Sequence, residues 1–212
     1  MNETKILIVE DEPLIAEDIA EALQRNDYVV SAIVYSKEDA LLELNHNLPD
    51  VALLDINLNG GMEGIEIANT IAASYGIPFI FLTSYSDKKT VALSKVTEPA
   101  GYIVKPFTEA GLYSSLEVAL YNYAQKNKRN FPDLKLAVIN QQLATPISER
   151  EFELLQLIYD GHSNKQIAAD LFISLNTVKK HINSLYLKLD VSSHSSAIAR
   201  IREITSKGNR KA

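Results

Sequence analysis

Several short apolar runs in the sequence end on side chains that could bind a metal ion or a phosphoryl group. One run ends on Asp55, and another leads into the acidic stretch Glu10–Glu12. Two further runs end on Thr83 and Lys105. Carboxylates that are held close together raise one another's pKa and destabilise a fold unless a cation joins them. Because Mg2+ prefers oxygen ligands, these acids predict a magnesium site if the fold brings them together.

The chemistry that fits this set is the capture of a phosphoryl group by a carboxylate. Asp55 would act as the nucleophile, while Lys105 and the metal would stabilise the charge on the transferring oxygens. Thr83 could donate a hydrogen bond to the bound phosphoryl group. Any one of these residues alone is better explained as a solvated strand end, so the prediction depends on their occurring together.

The elements that must position these residues are predicted from five apolar runs at near-regular spacing. Most of the runs lack polar alternation, which is expected when both faces of a parallel sheet are covered. Segments with apolar residues at helical spacing separate them. We therefore predict an α/β doubly wound, five-stranded parallel sheet with five helices, whose functional site lies at the carboxyl ends of the strands. The predicted strands are 6–9, 28–34, 51–54, 78–82 and 101–104. In the first helix, the apolar stripe is predicted to comprise Leu14, Ile15, Ile19 and Leu23.

Composition restricts the class of protein. The 212 residues suffice for one large domain or two small ones. The chain has no cysteine, which excludes disulfides and thiolate metal sites. Its N-terminus lacks the basic region and long apolar segment of a signal peptide, and no apolar run approaches the roughly 18 residues that span a bilayer. We predict a cytoplasmic protein without a membrane partner.

Charge is distributed unevenly along the chain. Residues 1–123 carry 7 Lys and Arg against 19 Asp and Glu, a net charge of −12, whereas residues 124–212 carry 14 against 8, a net charge of +6. An acidic half joined to a basic half indicates two modules with different partners, although chance clustering of surface charge would also produce it. A basic surface attracts the phosphate backbone of nucleic acids.

The last third of the chain has a helical pattern that begins with a capping-box signature formed by Ser148 and Glu151. Two further helices are predicted over 164–172 and 175–189, each preceded by a serine that could cap it. The second is amphipathic, and its polar face is predicted to carry Asn176, Lys179, Lys180, Asn183 and Ser184. This pattern predicts a helix-turn-helix, with a plain helical bundle as the alternative.

Four motifs of the first half resemble those of response-regulator receiver domains. They are IVEDEP at 8–13, LLDINL at 53–58, FLTSYSD at 81–87 and GYIVKPF at 101–107. On this resemblance, residues 1–123 are a receiver domain with a flavodoxin-like fold, followed by a linker over 124–146. The resemblance implies that Asp55 is the phosphoacceptor and that a cognate histidine kinase or a small phosphodonor supplies the phosphoryl group.

The resemblance also implies roles for the other strand-end residues. The implied ligands of Mg2+ are Glu10, Asp11, Asp55 and the backbone carbonyl of Asn57, with Asp11 binding directly. The implied contacts to the phosphoryl group are Thr83 and Lys105, and the peptide between Lys105 and Pro106 is expected to be cis. Tyr102 resembles the aromatic switch residue, which turns inward when Thr83 moves toward the phosphate. One loop departs from the family pattern, because LNGGMEG carries Asn59 where a proline is common and is longer than usual.

Residues 147–199 resemble a LuxR-type helix-turn-helix, so 147–212 is predicted to be a small all-α DNA-binding domain. The motifs are ISERE and LIYDGHSNKQIAADLFISLNTVKKHINSLYLKL, followed by DV. Helix 175–189 would be the recognition helix in the major groove. The candidates for base contacts are Lys179, Lys180 and Asn183. The candidates for phosphate or backbone contacts are Asn176, Thr177, His181 and Lys165, and packing is an equal alternative for His181. His194 stands where the family usually has a basic residue, so a weaker phosphate contact is expected there.

These features predict a phosphorylation-regulated, DNA-binding transcriptional regulator of a two-component system. Phosphorylation of Asp55 would shift a surface around the predicted fourth helix, fifth strand and fifth helix, and so promote a homodimer or free the recognition helix. The alternative is a regulator whose basic domain binds a protein rather than DNA. We do not predict an enzyme, because nothing in the sequence supplies a general acid or a pocket for an external substrate.

Overall fold

A computed structural model describes residues 4–84, 94–128 and 134–208 of the chain. The chain divides into two compact units, an N-terminal one over Thr4–Ala119 and a C-terminal one that begins at Leu120. Among the helices within the described ranges, none combines the length and the apolar character that crossing a membrane requires.

The N-terminal unit is built on a five-stranded sheet in which every neighbouring pair is parallel, in the order β2-β1-β3-β4-β5. This confirms the predicted doubly wound fold. The three central strands are almost entirely buried, as their continuous apolar sequences predict, whereas the edge strand β2 is half-buried throughout. The strands are β1 Lys5–Val9, β2 Val29–Val34, β3 Val51–Asp55, β4 Phe79–Ser84 and β5 Gly101–Lys105.

Helices lie between the strands and cover the sheet. They are α1 Pro13–Arg25, α2 Lys37–His46, α3 Glu63–Ser74 and α4 Glu109–Lys128. The helix predicted between β4 and β5 falls largely on residues 85–93, which lie outside the described residues. In α1 the prediction for Leu14 was wrong, because this side chain is 78% exposed. The buried stripe of α1 runs through Ala16, Ile19 and Leu23, and Leu14 lies about 200° around the helix from Ala16.

The loop between β3 and α3 contains the 3-10 turn Leu58–Gly60. Asn59 and Gly60 both adopt a positive φ, of 52° and 75°, a region that Asn and Gly tolerate better than other residues. The departure from the family pattern at Asn59 therefore coincides with a tight left-handed turn directly beside the end of β3.

The C-terminal unit is helical. Its elements after α4 are α5 Leu136–Asn140, α6 Glu149–Tyr159, α7 Asn164–Asp170, α8 Leu175–Leu189 and α9 His194–Gly208. The predicted capping box of α6 is present, and Ser163 and Ser174 cap α7 and α8 as their positions indicate. Helix α7 ends before the predicted residue 172, because Phe172 has a positive φ of 53° that cannot continue a right-handed helix. Helix α9 was not predicted from the sequence.

One apolar core holds these helices together. Ile139, in the segment that was predicted to be a linker, is fully buried in this core, and Leu134 and Leu136 pack against it. Much of the segment before α6 is thus part of the folded unit. The largest contributions from α8 are Val178, Ile182, Leu185, Tyr186 and Leu189, all of them buried.

Candidate acidic site and candidate nucleic-acid interface

Three carboxylates from different parts of the chain meet at the carboxyl edge of the sheet. Glu10 and Asp11 follow β1, and Asp55 is the last residue of β3. Each offers an oxygen that lies within 4.8 Å of the others. Glu10 is fully buried, Asp55 is 8% exposed and Asp11 is half-buried. The parallel register of β1 and β3 brings these strand ends side by side, which is why the sequence pattern could predict the cluster.

Lys105, at the end of β5, bridges two of the three acids. Its Nζ donates to Glu10 Oε2 at 2.5 Å and to Asp55 Oδ2 at 2.8 Å. Burial lowers the pKa of Lys105, but the hydrogen bonds and charges of Asp55 and Glu10 outweigh it and raise the pKa above its ordinary value. Lys105 therefore stays positively charged. The peptide that follows, Lys105–Pro106, is cis, as predicted.

One Lys105 ammonium does not compensate the acids fully. The pKa of Glu10 is raised to about 7, because burial and the charge of Asp55 raise it by more than the hydrogen bond from Lys105 lowers it. Glu10 Oε1 is buried and has no hydrogen-bond partner among the described residues. Buried polar atoms normally have a partner, so this oxygen and the neighbouring carboxylates fit a hard divalent cation that takes oxygen ligands.

The loop after β3 supports the acids through its backbone. The Asn57 N–H donates to Asp55 Oδ1 at 3.1 Å, and the Asn59 N–H donates to Asp11 Oδ2 at 3.1 Å. The Asn57 carbonyl, a predicted metal ligand, accepts the Gly60 N–H at 3.2 Å. A carbonyl oxygen has two lone pairs, so this bond is compatible with a second partner.

Gly64 allows a close helix approach that supports the site, and this role was not predicted from the sequence. It lies in the first turn of α3, where a Cβ atom would fall 1.9 Å from the backbone oxygen of Asp55. Only glycine permits the helix to approach the end of β3 this closely. A glycine inside a helical pattern is the signal that could have identified it.

Thr83 and Tyr102 lie on the neighbouring strands β4 and β5. Thr83 is 4% exposed, and its hydroxyl donates to the Ser84 carbonyl at 3.2 Å. The Tyr102 ring is half-buried and stacks at a tilt on Phe81, with ring centroids 5.8 Å apart. The structure thus joins Glu10, Asp11, Asp55 and Lys105 through close side-chain contacts, whereas the Thr83 hydroxyl is bonded to its own strand.

The candidate recognition helix α8 presents a polar stripe to solvent. Asn176, Lys180 and Asn183 are exposed on it, and the stripe continues to Leu187, which is 83% exposed. The predicted contact residues at the edges of this stripe are half-buried, and they are Lys179, Thr177 and His181. Lys165, on the neighbouring helix α7, is half-buried as well. All seven predicted DNA-contacting residues therefore retain at least partial access to solvent.

Ser184 was predicted on this polar face, but the structure places its hydroxyl against another helix. It donates to Glu151 Oε1 at 2.7 Å, and Lys188 Nζ donates to Glu151 Oε2 at 2.7 Å. Burial raises the pKa of Glu151, but the bonds from Lys188, Ser148 and Ser184 outweigh it and lower the pKa to about 2. A buried carboxylate on α6 thereby fixes the C-terminal half of the candidate recognition helix.

His194, at the start of α9, also contacts α8. Its Nδ1 lies 2.8 Å from the hydroxyl of the buried Tyr186, and the two rings meet edge to face. The position where a basic residue was expected thus holds a side chain that packs on the recognition helix.

Comparison with known proteins matches both units to families. Residues 6–117 match the response regulator receiver domain, and residues 145–201 match the bacterial regulatory proteins of the luxR family. The receiver match covers more than half of the chain.

Relatives align with the chain over nearly its whole length. The chain is 33% identical to the probable transcriptional regulatory protein NarL of Mycobacterium tuberculosis, with 92% of each chain covered. It is 30% identical to the nitrate/nitrite response regulator protein homolog of Haemophilus influenzae, with 91% of this chain and 93% of that protein covered. It is 29% identical to the transcriptional regulatory protein LiaR of Bacillus subtilis, with 91% and 94% covered.

Solved structures resemble the N-terminal unit. The signal receiver domain of a modulated diguanylate cyclase from Desulfovibrio desulfuricans aligns with a TM-score of 0.54 at 34% identity, covering 59% of this chain and 99% of that one. A putative response regulator from Chloroflexus aurantiacus aligns with a TM-score of 0.51 at 25% identity, covering 56% and 98%. The chain belongs to the response regulators that join a receiver domain to a LuxR-type DNA-binding domain, and is a phosphorylation-regulated transcriptional regulator of a two-component system.

Proposed function

We propose that Asp55 is the residue that receives the phosphoryl group and that this event controls DNA binding by α8. The observation that carries the proposal is the meeting of Glu10, Asp11 and Asp55 around the Lys105 ammonium at the carboxyl edge of the sheet. A histidine kinase is the partner that a receiver implies, and a small phosphodonor could replace it.

Mg2+, when bound by Glu10, Asp11, Asp55 and the Asn57 carbonyl, would neutralise charge on the transferring phosphoryl oxygens. Side chains of the protein carry out the other steps of phosphoryl transfer. One carboxylate oxygen of Asp55 attacks phosphorus as the bond from phosphorus to the donor breaks, which releases the histidine of the kinase or, from acetyl phosphate, acetate. Lys105 provides a fixed positive charge beside the reacting carboxylate. Thr83, whose hydroxyl now bonds the Ser84 carbonyl, would exchange that bond for one to the new phosphoryl group. Movement of Thr83 would free space for Tyr102 and so couple the site to the surface around β5.

At the other end of the chain, we assign base contacts to Lys179, Lys180 and Asn183. Phosphate or backbone contacts are assigned to Asn176, Thr177, His181 and Lys165. The exposed stripe of α8 and the net positive charge of the second half support these assignments. Two copies of the chain would bind half-sites about one helical turn apart, as a homodimer that phosphorylation favours.

The test compares the native protein with Asp55→Ala after incubation with acetyl phosphate and Mg2+. We expect the native protein to gain DNA affinity and to shift toward dimers, and the variant to do neither. Equal responses of the two proteins would contradict the proposal. Omitting Mg2+ is the matched control, and the native protein should then respond no more than the variant.

A second measurement separates DNA from a protein as the partner of the basic domain. Affinity for a promoter fragment should fall steeply as the salt concentration rises, because each phosphate contact releases counterions. An affinity that is insensitive to salt, or equal for native protein and Lys180→Ala, would favour the protein-binding alternative.

A further inference from the structure

A buried serine makes a hydrogen bond to the proposed switch tyrosine. Ser94 is fully buried, and its Oγ lies 2.9 Å from the hydroxyl of Tyr102. Ser94 lies just before the 3-10 turn Lys95–Thr97, far from the acidic cluster in the sequence. Neither its type nor its spacing indicated a functional role, because a single serine between strands is an ordinary turn residue.

The position of Ser94 is fixed by the turn that follows it. The Thr97 hydroxyl, itself buried, donates to the Ser94 carbonyl at 2.7 Å. The Glu98 N–H donates to Lys95 O, and the Ala100 N–H donates to Phe79 O on β4. The Ser94 hydroxyl is thus presented from a turn that is hydrogen-bonded internally and tied to the sheet.

Tyr102 is placed to report on the phosphorylation site. Tyr102 on β5 pairs with Phe81 on β4, and Thr83 lies two residues beyond Phe81 on β4. Its ring packs on Phe81 while its hydroxyl reaches Ser94. The ring is only half-buried, so its apolar packing alone gives a modest preference for this position, and the hydrogen bond between its hydroxyl and that of Ser94 adds to it.

We propose that Ser94 is a positioning residue for the switch, and that its hydroxyl holds Tyr102 in the position seen here, in which the Thr83 hydroxyl still bonds the Ser84 carbonyl. The inference rests on the proposed role of Tyr102. A single hydrogen bond shifts a two-state equilibrium by roughly threefold to tenfold. Loss of the Ser94 hydroxyl should therefore release Tyr102 before phosphorylation, raise the DNA affinity measured without acetyl phosphate, and so weaken the effect of phosphorylation on DNA affinity.

The experiment is a double-mutant cycle of Ser94→Ala and Tyr102→Phe in the full chain. The quantity measured is the ratio of DNA dissociation constants without and with acetyl phosphate, at fixed Mg2+ and salt. We expect each single variant to lower this ratio by roughly threefold to tenfold, and the double variant to lower it no further, because both changes remove the same bond. Ser31→Ala is the control, since it removes a hydroxyl on the opposite edge strand β2 that has no hydrogen-bond partner among the described residues.

Two results would overturn the inference. One is a ratio for Ser94→Ala equal to that of the native protein. That result is expected if the hydrogen bond only gives the buried Ser94 hydroxyl a partner and does not position Tyr102. The other is a Ser31→Ala variant that lowers the ratio as much as Ser94→Ala, which would indicate a general response to the loss of a hydroxyl from the N-terminal unit. Failure of the proposed function can be distinguished from failure of this inference, because the native protein would then show the same ratio as Asp55→Ala.

Discussion

At the scale of single residues, the acidic site depends on charges that are stabilised by one another. The Lys105 side chain is 15% exposed and is paired with Glu10 and Asp55, whose side chains are 0% and 11% exposed. Ion pairs at this depth contribute little net stability, but breaking one by removing a single partner is costly. The arrangement is therefore better explained by chemistry at Asp55 than by folding.

Lys105→Met should slow phosphoryl transfer to Asp55 by roughly a hundredfold, the size of effect seen when one charge-stabilising group is lost from an active site. The initial rate of phosphoryl incorporation from acetyl phosphate measures it. Lys37→Met is the control, because Lys37 pairs with Glu66 on α3 rather than with the acidic cluster. A native rate for Lys105→Met would show that the ammonium has no part in the transfer.

On the recognition helix, Lys179 and Lys188 should differ in their contribution to DNA binding. Lys179→Ala is expected to reduce the slope of log affinity against log salt by about 1, the loss of one phosphate contact, or to relax specificity at one base pair. Lys188 is held by Glu151, so Lys188→Met should leave the salt slope unchanged. Salt titrations with specific and random DNA measure both effects, and a larger change for Lys188 would refute the assignment.

At the scale of elements, the geometry of both sites is set by close approaches between helices and strands and by the caps at helix ends. The strand ends that carry Asp55 and Lys105 could be predicted because continuous apolar runs specify buried parallel strands. The roles of Gly64 and Ser94 could not be predicted, because they depend on tertiary contacts that the local sequence pattern does not encode. Ser184 was assigned to the wrong face because its partner, Glu151, lies on a different helix.

Gly64→Ala should destabilise the N-terminal unit by about 1–3 kcal/mol, because the new methyl group overlaps the Asp55 backbone and α3 must move. Urea unfolding followed by circular dichroism measures the change. Gly61→Ala is the matched control in the same loop, since its Cβ would meet its nearest atom at an ordinary 3.7 Å. Equal stabilities of the two variants would contradict the close approach of α3 to β3.

Glu151→Gln should destabilise the C-terminal unit at neutral pH by about 1–3 kcal/mol, because the charge-assisted bonds to Lys188 and Ser184 weaken. The pKa of Glu151 is lowered from 4.5 to about 2 in the fold. Its contribution is therefore fully present above pH 4.5 and is lost as the pH falls toward 2.

The difference in unfolding free energy between native protein and Glu151→Gln should accordingly shrink over this interval. Urea titrations at neutral pH and at successively lower pH measure it. Glu153→Gln is the control, since Glu153 is an exposed partner of Arg150 and should show a small effect. A difference that stays constant as the solution is acidified would refute the role of the Glu151 charge.

At the scale of the whole molecule, two units of opposite charge correspond to two families with different partners. The acidic half matches receiver domains and the basic half matches LuxR-type DNA-binding domains. The sequence predicted this division from the change of sign and from the change from strand to helix periodicity. The apolar stretch 134–139 indicated that part of the predicted linker packs against another element, but the sequence did not predict that Ile139 belongs to the core of the second unit.

The most direct test of the account is to locate the phosphoryl group. The protein is incubated with acetyl phosphate and Mg2+, and mass spectrometry of the intact chain and of its peptides identifies the modified residue. We expect a single added phosphoryl group on the peptide that contains Asp55, and none on Asp55→Ala. Phosphorylation at another residue, or the same modification of Asp55→Ala, would contradict it.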